Sequence, residues 1–179
     1  MESTNLAAKA AAGDSDAFLQ LVKQLENSLH YMAKSMLRQD EDVADALQET
    51  ILKAYKAVHT LREPNYFKTW IFRILINECN TILAQRSRTL NYEQVEPSAS
   101  HPDEYDKVDL REAVERLEEA QRVVVILHYF EDLPLRQVAR VLDISESAVK
   151  MRLSRARESL LKRLSNFREG SVGYEGIAY

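Results

Sequence analysis

The residues best suited to chemistry in this chain lie on a basic segment near its carboxyl end. The segment from Pro134 to Glu169 contains nine Lys or Arg residues and four Asp or Glu residues, within a chain whose formal net charge is −4. Helical spacing predicts that one helix face, opposite the apolar one, carries mostly polar and charged side chains together with one Met: Met151, Ser154, Arg155, Glu158 and Lys162. An exposed face of this kind can enter a groove of DNA, and the local excess of positive charge suits phosphate groups. The segment therefore predicts binding to a nucleic acid.

Two helices and a tight turn must position this face. Leu135, Val138, Ala139 and Leu142 recur at helical intervals and predict a short first helix. Asp143-Ile144-Ser145 interrupts the pattern, and Ser145 is a suitable N-cap for the helix that follows. Such turns often use Gly where Asp143 stands, but Asp tolerates the left-handed conformation better than most residues. The span from Leu135 to Ser154 is a predicted helix-turn-helix; the alternative is a basic helix with solvated charges on an ordinary bundle.

Composition predicts the fold class. The 179 residues include only four Gly and four Pro, with 45% hydrophobic residues, which favours an all-α protein with buried cores. A single Cys, Cys79, excludes an intramolecular disulfide, and no secretory leader or membrane-spanning apolar stretch is visible, so we expect a cytoplasmic protein. The net negative charge means that any DNA contact must come from segregated basic patches.

An acidic segment divides the chain. Residues 93–106 contain two Pro and no helical apolar period, which indicates a linker between two small helical domains. Residues 93–120 hold ten acidic residues against three basic ones, whereas residues 61–92 hold five basic against two acidic ones.

The first domain begins with two predicted amphipathic helices. The first covers Ala17 to Leu37, with a candidate bend at Asn27-Ser28, and the second starts at Asp40. In the second helix we expect a buried stripe of Val43, Leu47, Ile51, Tyr55 and Val58. Its opposite face gathers charged side chains with an amide on the flank: Asp42, Asp45, Gln48, Glu49, Lys53 and Lys56. This face is either a docking surface or a solvated helix surface, and the residue types alone favour the second.

A third helix combines aromatic, basic and amide side chains. Tyr66, Phe67 and Trp70 suit stacking on unpaired bases, although helical spacing places Trp70 mostly in the core together with Ile71, Ile74, Leu75, Ile82 and Leu83. The cations suited to phosphates are Arg62, Lys68, Arg73, Arg86 and Arg88. Asn77 or Asn80 could read a base edge.

The order of these segments resembles a bacterial RNA polymerase sigma factor of the extracytoplasmic-function group, within the sigma-70 family. The resemblance covers about residues 14–164 and rests on DVADALQETILKAYKAVHTL, FKTWIFRILIN and, after the acidic linker, QRVVVILHYFEDLPLRQVARVLDISESAVKMRLSRAR. It implies sigma region 2 at residues 1–92, a linker at 93–109, sigma region 4 at 110–169 and a tail at 170–179 that we expect to be disordered.

The resemblance also implies a role for each candidate surface. The implied core-polymerase-binding residues are Asp42, Asp45, Gln48, Glu49 and Lys53. The residues implied to capture and melt the downstream promoter element are Arg62, Asn65, Tyr66, Phe67, Lys68, Arg73, Asn77 and Asn80. In the helix-turn-helix, Lys150, Met151, Ser154 and Arg155 match positions that face bases of the upstream element, whereas Arg152 and Arg157 match phosphate contacts.

The implied partners are core RNA polymerase, promoter DNA and an anti-sigma protein, which in this family is often anchored in the membrane; no membrane insertion of the chain itself is expected. An effector-controlled helix-turn-helix regulator is the alternative, but it does not account for LQETILKAY and FKTWIFRILIN. A helical metal enzyme is disfavoured because no Glu-x-x-His occurs and His30, His59, His101 and His128 are scattered. We therefore expect a non-enzymatic factor for an envelope or stress response, with neither a metal nor another cofactor.

Overall fold

The computed structural model describes residues 2–90 and 110–171, and these residues form helices joined by short turns. Two 3₁₀ turns, Val58–Thr60 and Pro64–Tyr66, separate the third and fourth helices. A π-helical turn, Ile126–Phe130, follows the sixth helix. The helices are α1 (Glu2–Ala11), α2 (Ser15–Met36), α3 (Asp40–Ala57), α4 (Phe67–Leu90), α5 (Leu110–Glu115), α6 (Glu119–Val125), α7 (Leu135–Leu142) and α8 (Glu146–Ser171). The all-α prediction is confirmed for the described residues.

Helices α1 to α4 form the first domain around the long helix α2. The side chain of Asp14 caps α2 by accepting a hydrogen bond from the backbone N–H of Ala17 at 3.0 Å. The helix buries Phe18, Leu21, Leu29 and Met32 against its neighbours. It runs without a break through Asn27-Ser28, and buried residues lie on both sides of that pair.

The buried face of α3 differs from the predicted stripe. Val43 and Val58 are buried as expected, but Leu47 and Ile51 are only half-buried and Tyr55 is exposed. The other residues that α3 buries are instead small ones, Ala46, Thr50 and Ala54, and the helix packs on α4 and α2. Small side chains let two helix backbones approach closely, and the Thr50 hydroxyl is satisfied within the helix by the carbonyl of Ala46 at 2.6 Å. The larger apolar side chains are thereby turned toward the surface between α2 and α3.

Helix α4 supplies much of the core of the first domain. Ile71, Phe72, Leu75 and Ile76 are buried along one side together with Cys79. Burial raises the pKa of the Cys79 thiol to about 12. Of the predicted core residues, Ile71 and Leu75 are fully buried, whereas the other four are half-buried at its edge: Trp70, Ile74, Ile82 and Leu83.

The second domain contains the predicted helix-turn-helix. Helix α7 covers Leu135–Leu142, and Asp143 ends it in the left-handed conformation, with φ 54° and ψ 45°. The Ser145 hydroxyl accepts a hydrogen bond from the N–H of Ala148 at 3.1 Å, which confirms the predicted N-cap of α8. Val138 and Ala139 of α7 pack with Val149 and Leu153 of α8 in the buried core. The apolar run from Val123 to Leu127 is helical, and it passes from α6 into the π-helical turn.

The two domains pack against each other, mainly through α4 against α7 and α2 against α6. The predicted linker at residues 93–109 and residues 172–179 of the predicted tail lie outside the described residues. Gly170 and Ser171, which the prediction assigned to the tail, belong to α8.

Candidate nucleic-acid and docking interfaces

The exposed side of α8 carries the residues predicted to meet the upstream element. Lys150, Ser154 and Arg155 are exposed, and Met151 is 55% exposed although it is a large apolar residue. Val149, Leu153 and Ala156 are buried on the opposite side, so the helix is anchored by one face and free on the other. Arg152 is half-buried and lines a cavity between the two domains.

Tyr129 is a residue of this surface that the sequence pattern does not single out. Its hydroxyl accepts hydrogen bonds from Nε of Arg157 at 3.0 Å and from Nη2 at 2.5 Å. The guanidinium carbon of Arg157 also lies 5.8 Å from the centre of the Tyr129 ring. Tyr129 stands in the apolar run that continues from Val123, and therefore looks like a core residue in the sequence. The π-helical turn carries its ring outward, where it holds the Arg157 guanidinium beside α8.

The charged face of α3 divides into exposed and paired residues. Asp45, Gln48 and Glu49 are exposed. Asp42 instead forms a two-point ion pair with Arg86 of α4, at 2.7 Å from Nε and 2.8 Å from Nη2. These contacts join Asp42 of α3 to α4 within the first domain.

Lys53 is also committed to a contact within the first domain. Its ammonium lies 2.7 Å from a carboxylate oxygen of Glu78 on α4. The hydrogen bond that Lys53 donates to the Glu78 carboxylate raises the pKa of Lys53. Of the five residues expected to bind polymerase, four have exposed side chains, Asp45, Gln48, Glu49 and Lys53, and the ion pairs of Asp42 and Lys53 join α3 to α4.

An apolar groove lies beside the exposed residues of α3. Its volume is about 1020 Å³, and Gln48 belongs to its wall. Leu19 and Leu52 are exposed here, and Tyr55 is 50% exposed, with its ring 5.4 Å from that of Phe18 in an edge-on arrangement. The other apolar residues of the groove are Val22, Leu29, Ala44, Leu47 and Ile51. The groove lies between α2 and α3, where the larger apolar side chains of α3 are left only partly covered.

The residues before α4 occupy different environments. Arg62 is exposed, and the exposed side chain of Asn65 accepts a hydrogen bond from the Thr4 hydroxyl of α1 at 2.9 Å. Tyr66 is half-buried under the guanidinium of Arg140, whose carbon lies 5.2 Å from the ring centre.

Phe67 is a core residue. It is 4% exposed, and its ring packs edge-on against Phe18 at 6.3 Å and tilted against Trp70 at 5.8 Å. Phe67 is therefore part of the core beneath the segment before α4, and of the two rings that of Tyr66 is nearer the surface.

The remaining candidate residues of α4 face the second domain. The Lys68 ammonium lies 2.9 Å from the carboxylate of Glu131 and donates a hydrogen bond to the main-chain oxygen of the same residue at 2.8 Å. Arg73, Asn77 and Asn80 are exposed and line the interdomain cavity, which has a volume of about 550 Å³. Arg73, Asn77 and Asn80 thus share one side of α4, whereas Lys68 meets the second domain at the start of the helix.

Within residues 2–90 and 110–171, no three His, Cys, Asp or Glu side chains are grouped so that they could hold a metal ion. No helix in the described part of the chain is both long and apolar enough to span a bilayer.

Comparison with known proteins identifies the family. Residues 21–89 match the family model for sigma-70 region 2, and residues 107–160 match that for sigma-70 region 4. The chain is 32% identical over 168 residues to the ECF RNA polymerase sigma factor SigM of Mycobacterium tuberculosis, covering 92% of this chain and 86% of that protein. It is also 32% identical over 134 residues to the RNA polymerase sigma factor SigV of Bacillus subtilis, covering 73% and 81% of the two chains.

The chain belongs to the ECF group of sigma-70 factors. As a sigma factor it binds core RNA polymerase and promoter DNA and directs promoter-specific transcription initiation. Sigma factors are initiation factors rather than enzymes. Membership in this family supports a sigma factor rather than an effector-controlled helix-turn-helix regulator.

Two solved structures share the fold over most of the chain. One is CnrH in complex with the cytosolic domain of CnrY, with a TM-score of 0.65, 26% identity, and coverage of 93% of this chain and 99% of that chain. The other is the sigma factor RpoE in complex with the anti-sigma factor NepR from Bartonella quintana, with a TM-score of 0.69, 27% identity, and coverage of 83% and 96%.

Proposed function

We propose that this sigma factor divides promoter recognition and polymerase binding among three surfaces. The proposal is carried by the placement of three sets of predicted residues on separate parts of the fold: α3, α4 with the segment before it, and α8. Each of these helices also has buried residues in the core. This arrangement lets each surface act on a different part of the initiation complex.

The docking surface consists of Asp45, Gln48 and Glu49 of α3 and binds core RNA polymerase. Its side chains are exposed, and the apolar groove next to it offers additional area. Exposed carboxylates steer a basic partner surface and set its register, whereas burial of apolar groove residues supplies most of the affinity. Asp42 and Lys53 act indirectly, because their ion pairs with Arg86 and Glu78 fix the position of α3.

The downstream surface captures the melted strand of the promoter. It consists of Arg62, Asn65, Tyr66, Lys68, Arg73, Asn77 and Asn80. Flipping a base out of the duplex costs roughly a few kcal/mol. Stacking on an aromatic ring offsets this cost by about 1–3 kcal/mol per base, and phosphate contacts from the cations add further binding free energy. Tyr66 supplies this ring, and Phe67 supports it from the core.

The upstream surface is the exposed side of α8. Lys150, Met151, Ser154 and Arg155 face bases in the major groove, and Arg152 and Arg157 hold phosphates. Neither Met151 nor Ser154 prescribes one base, so the promoter sequence depends on the combination. Tyr129 positions the Arg157 guanidinium for its phosphate.

The sigma factor acts in the cytoplasm, where core polymerase and the chromosome are, and it has no enzymatic activity of its own. An anti-sigma protein holds it inactive until an envelope or other stress signal releases it. The support for this regulation is that both solved relatives described above were captured as complexes, one with the anti-sigma factor NepR and one with the cytosolic domain of CnrY.

The test is promoter selection with purified core polymerase and a library of random promoter sequences. We expect transcripts that depend on the added factor and that share two sequence elements, one upstream and one downstream. In a matched pair of variants, Arg155→Ala should relax the upstream element only, and Asn77→Ala the downstream element only. A chain that binds DNA but gives core polymerase no promoter-dependent initiation would support the effector-controlled regulator instead.

A further inference from the structure

Helix α1 precedes the part of the chain that matches sigma-70 region 2. The match begins at residue 21, whereas α1 covers Glu2–Ala11. The helix nevertheless belongs to the first domain, because Ala7 and Ala10 are buried and Leu6 is half-buried against the core. Small buried residues let a helix backbone approach its neighbours closely. None of the three surfaces described above includes α1, so its role is open.

A glycine turn holds α1 beside α2. Gly13 has a φ of 102°, a conformation that residues with a side chain rarely adopt. Its N–H donates a hydrogen bond to the carbonyl of Ala10, and the N–H of Asp14 donates to the carbonyl of Lys9, each at 3.0 Å. Asp14 then caps α2. The connection between the two helices is therefore short and hydrogen-bonded, and α1 packs on α2.

Helix α1 also packs on both 3₁₀ turns that precede α4. The second of these turns, Pro64–Tyr66, carries two residues assigned to the downstream surface, Asn65 and Tyr66. The Thr4 hydroxyl of α1 donates a hydrogen bond to Oδ1 of Asn65 at 2.9 Å. Thr4 is half-buried and Asn65 is exposed, so α1 reaches the edge of the downstream surface.

The backbone of this turn is restrained, which leaves the Asn65 side chain as the variable part. Pro64 fixes its own φ, and the N–H of Tyr66 donates a hydrogen bond to the carbonyl of Glu63 at 2.9 Å. The terminal torsion of an Asn side chain has only a broad preference, so its amide can present either oxygen or nitrogen. The Thr4 hydroxyl selects one orientation because it holds Oδ1. Nδ2, with its two N–H donors, is then the end of the amide left for a ligand.

We propose that Thr4 is a positioning residue for promoter recognition, which holds the Asn65 amide so that Nδ2 donates to an unpaired base of the downstream element. This role rests on the proposed function, which assigns Asn65 to the downstream surface. A base matches the two donors where it presents an acceptor, either a keto oxygen or an unprotonated ring nitrogen. A base that presents an exocyclic amino group instead places donor against donor and leaves polar groups unpaired. Through Asn65, Thr4 therefore contributes to base selectivity at one downstream position.

The test is promoter selection with the full chain and core polymerase, scored separately at each downstream position. Asn65→Ala identifies the position that Asn65 reads, because the base preference there should be lost. Thr4→Val removes the hydroxyl with little change in side-chain shape. It should weaken the preference at that same position by about two- to tenfold, the range of a single hydrogen bond, and leave the other positions unchanged.

Three further variants separate positioning from a general effect of α1. Thr4→Ser keeps a hydroxyl and should retain the wild-type preference. Ser3→Ala is the matched control and should behave as wild type, because the Ser3 hydroxyl also lies on α1 but donates a hydrogen bond to Gln24 of α2 at 3.4 Å. Asn65→Asp has nearly the shape of Asn but offers only acceptors, so it should lose the preference although Thr4 keeps a partner.

A double-mutant cycle tests whether Thr4 acts through Asn65. Thr4→Val added to Asn65→Ala should have no further effect on the downstream preference, since the amide that Thr4 holds is already absent. Circular dichroism of each variant should match wild type, because the hydroxyl and the amide lie at the surface of the domain.

Three results would overturn this role of Thr4. One is a wild-type base preference in Thr4→Val at the position where Asn65→Ala loses it, and the proposed function then stands without Thr4. Another is an equal loss of transcription on all promoters that adds to the effect of Asn65→Ala, because α1 would then be a structural support only. The third is a wild-type preference in Asn65→Asp, which would mean that the amide donors are not used.

Failure of the proposed function gives different results. Asn65→Ala would leave every downstream preference unchanged, or the wild type would give no promoter-dependent transcripts with core polymerase. In either case the assignment of Asn65 to the downstream surface is wrong, and the role of Thr4 is wrong with it.

Discussion

The left-handed residue in the turn of the helix-turn-helix gives a prediction that can be worked from the backbone. Asp143 has φ 54° and ψ 45°, its N–H bonds to the carbonyl of Ala139, and its side chain is exposed. This conformation costs L-residues about 1–2 kcal/mol, less for Asp, and nothing for Gly. Gly gains about 0.4–1 kcal/mol of extra chain entropy in the unfolded state, which offsets most of that advantage.

The expected order of stability is therefore Gly and Asp together, then Ala, then Val. Asp143→Ala should lower the free energy of unfolding by about 1 kcal/mol, and Asp143→Val by about 2 kcal/mol because a β-branched side chain fits this region worst. For a chain of this size, 1 kcal/mol corresponds to about 2–4 °C in Tm. Asp143→Gly should stay within about 0.5 kcal/mol of wild type.

Thermal unfolding followed by circular dichroism measures this series. Ser147→Ala, at an exposed position in the first turn of α8, is the control and should leave Tm unchanged or slightly higher. Asp143→Gly as unstable as Asp143→Val, or Asp143→Ala as stable as wild type, would refute the argument from backbone conformation. Upstream DNA binding well below the Tm should be similar in all folded variants, because Asp143 is not among the residues assigned to DNA.

Three further predictions concern binding and chemistry. Arg155→Ala should weaken binding to the selected promoter by roughly 1–3 kcal/mol if the guanidinium contacts a base; a competition assay giving equal loss on unrelated DNA would make Arg155 a phosphate contact. Glu49→Lys should reduce association with core polymerase in a pull-down titration without changing Tm, since the side chain is exposed, and unchanged association would remove Glu49 from the docking surface. Burial raises the pKa of Cys79 from an ordinary value of 9.0 to about 12. At pH 9 about half of the unfolded thiol is ionised but almost none of the folded thiol is. Ellman's reagent should therefore react with native protein far more slowly than with urea-unfolded protein. Relative to Cys79→Ala, wild type should lose stability as pH rises from 9 toward 12, because the folded state holds its proton longer; equal pH dependence of the two proteins would contradict this.

The parts of the fold that depend on local signals were predictable from the sequence. The helix-turn-helix follows from apolar spacing in α7, from Ser145 as a cap and from the tolerance of Asp143 for a left-handed turn, all within a few residues of one another. The start of α3 at Asp40 follows from the acidic residues of its first turn. Such features do not depend on what packs against them.

Which face of α3 is buried was not predictable in the same way. Apolar size favours Leu47, Ile51 and Tyr55 as the buried stripe, whereas the structure buries Ala46, Thr50 and Ala54. Both sets have helical spacing, so only the packing of α3 against its neighbouring helices decides which set is buried.

Contacts between residues far apart in the sequence were also not predictable. Lys68 and Glu131 are 63 positions apart, and nothing in either segment indicates the other. The sequence likewise groups Phe67 with Tyr66 as a stacking residue, although one ring is in the core and the other is at the surface. The residue types were informative about chemistry, and the tertiary contacts decided which of them are available.

In α3, the small residues buried in the fold are different from the residues exposed to a partner. Ala46, Thr50 and Ala54 are buried in the core, whereas Asp45, Gln48 and Glu49 are exposed. Substitutions at positions that share no contacts tend to act independently. The docking surface can therefore change over evolution, or be redesigned for a different polymerase, at little cost to folding. Asp42 and Lys53 are the exceptions, because they lie on the charged face of α3 and their ion pairs also hold α3 on α4. A redesign should leave both residues in place.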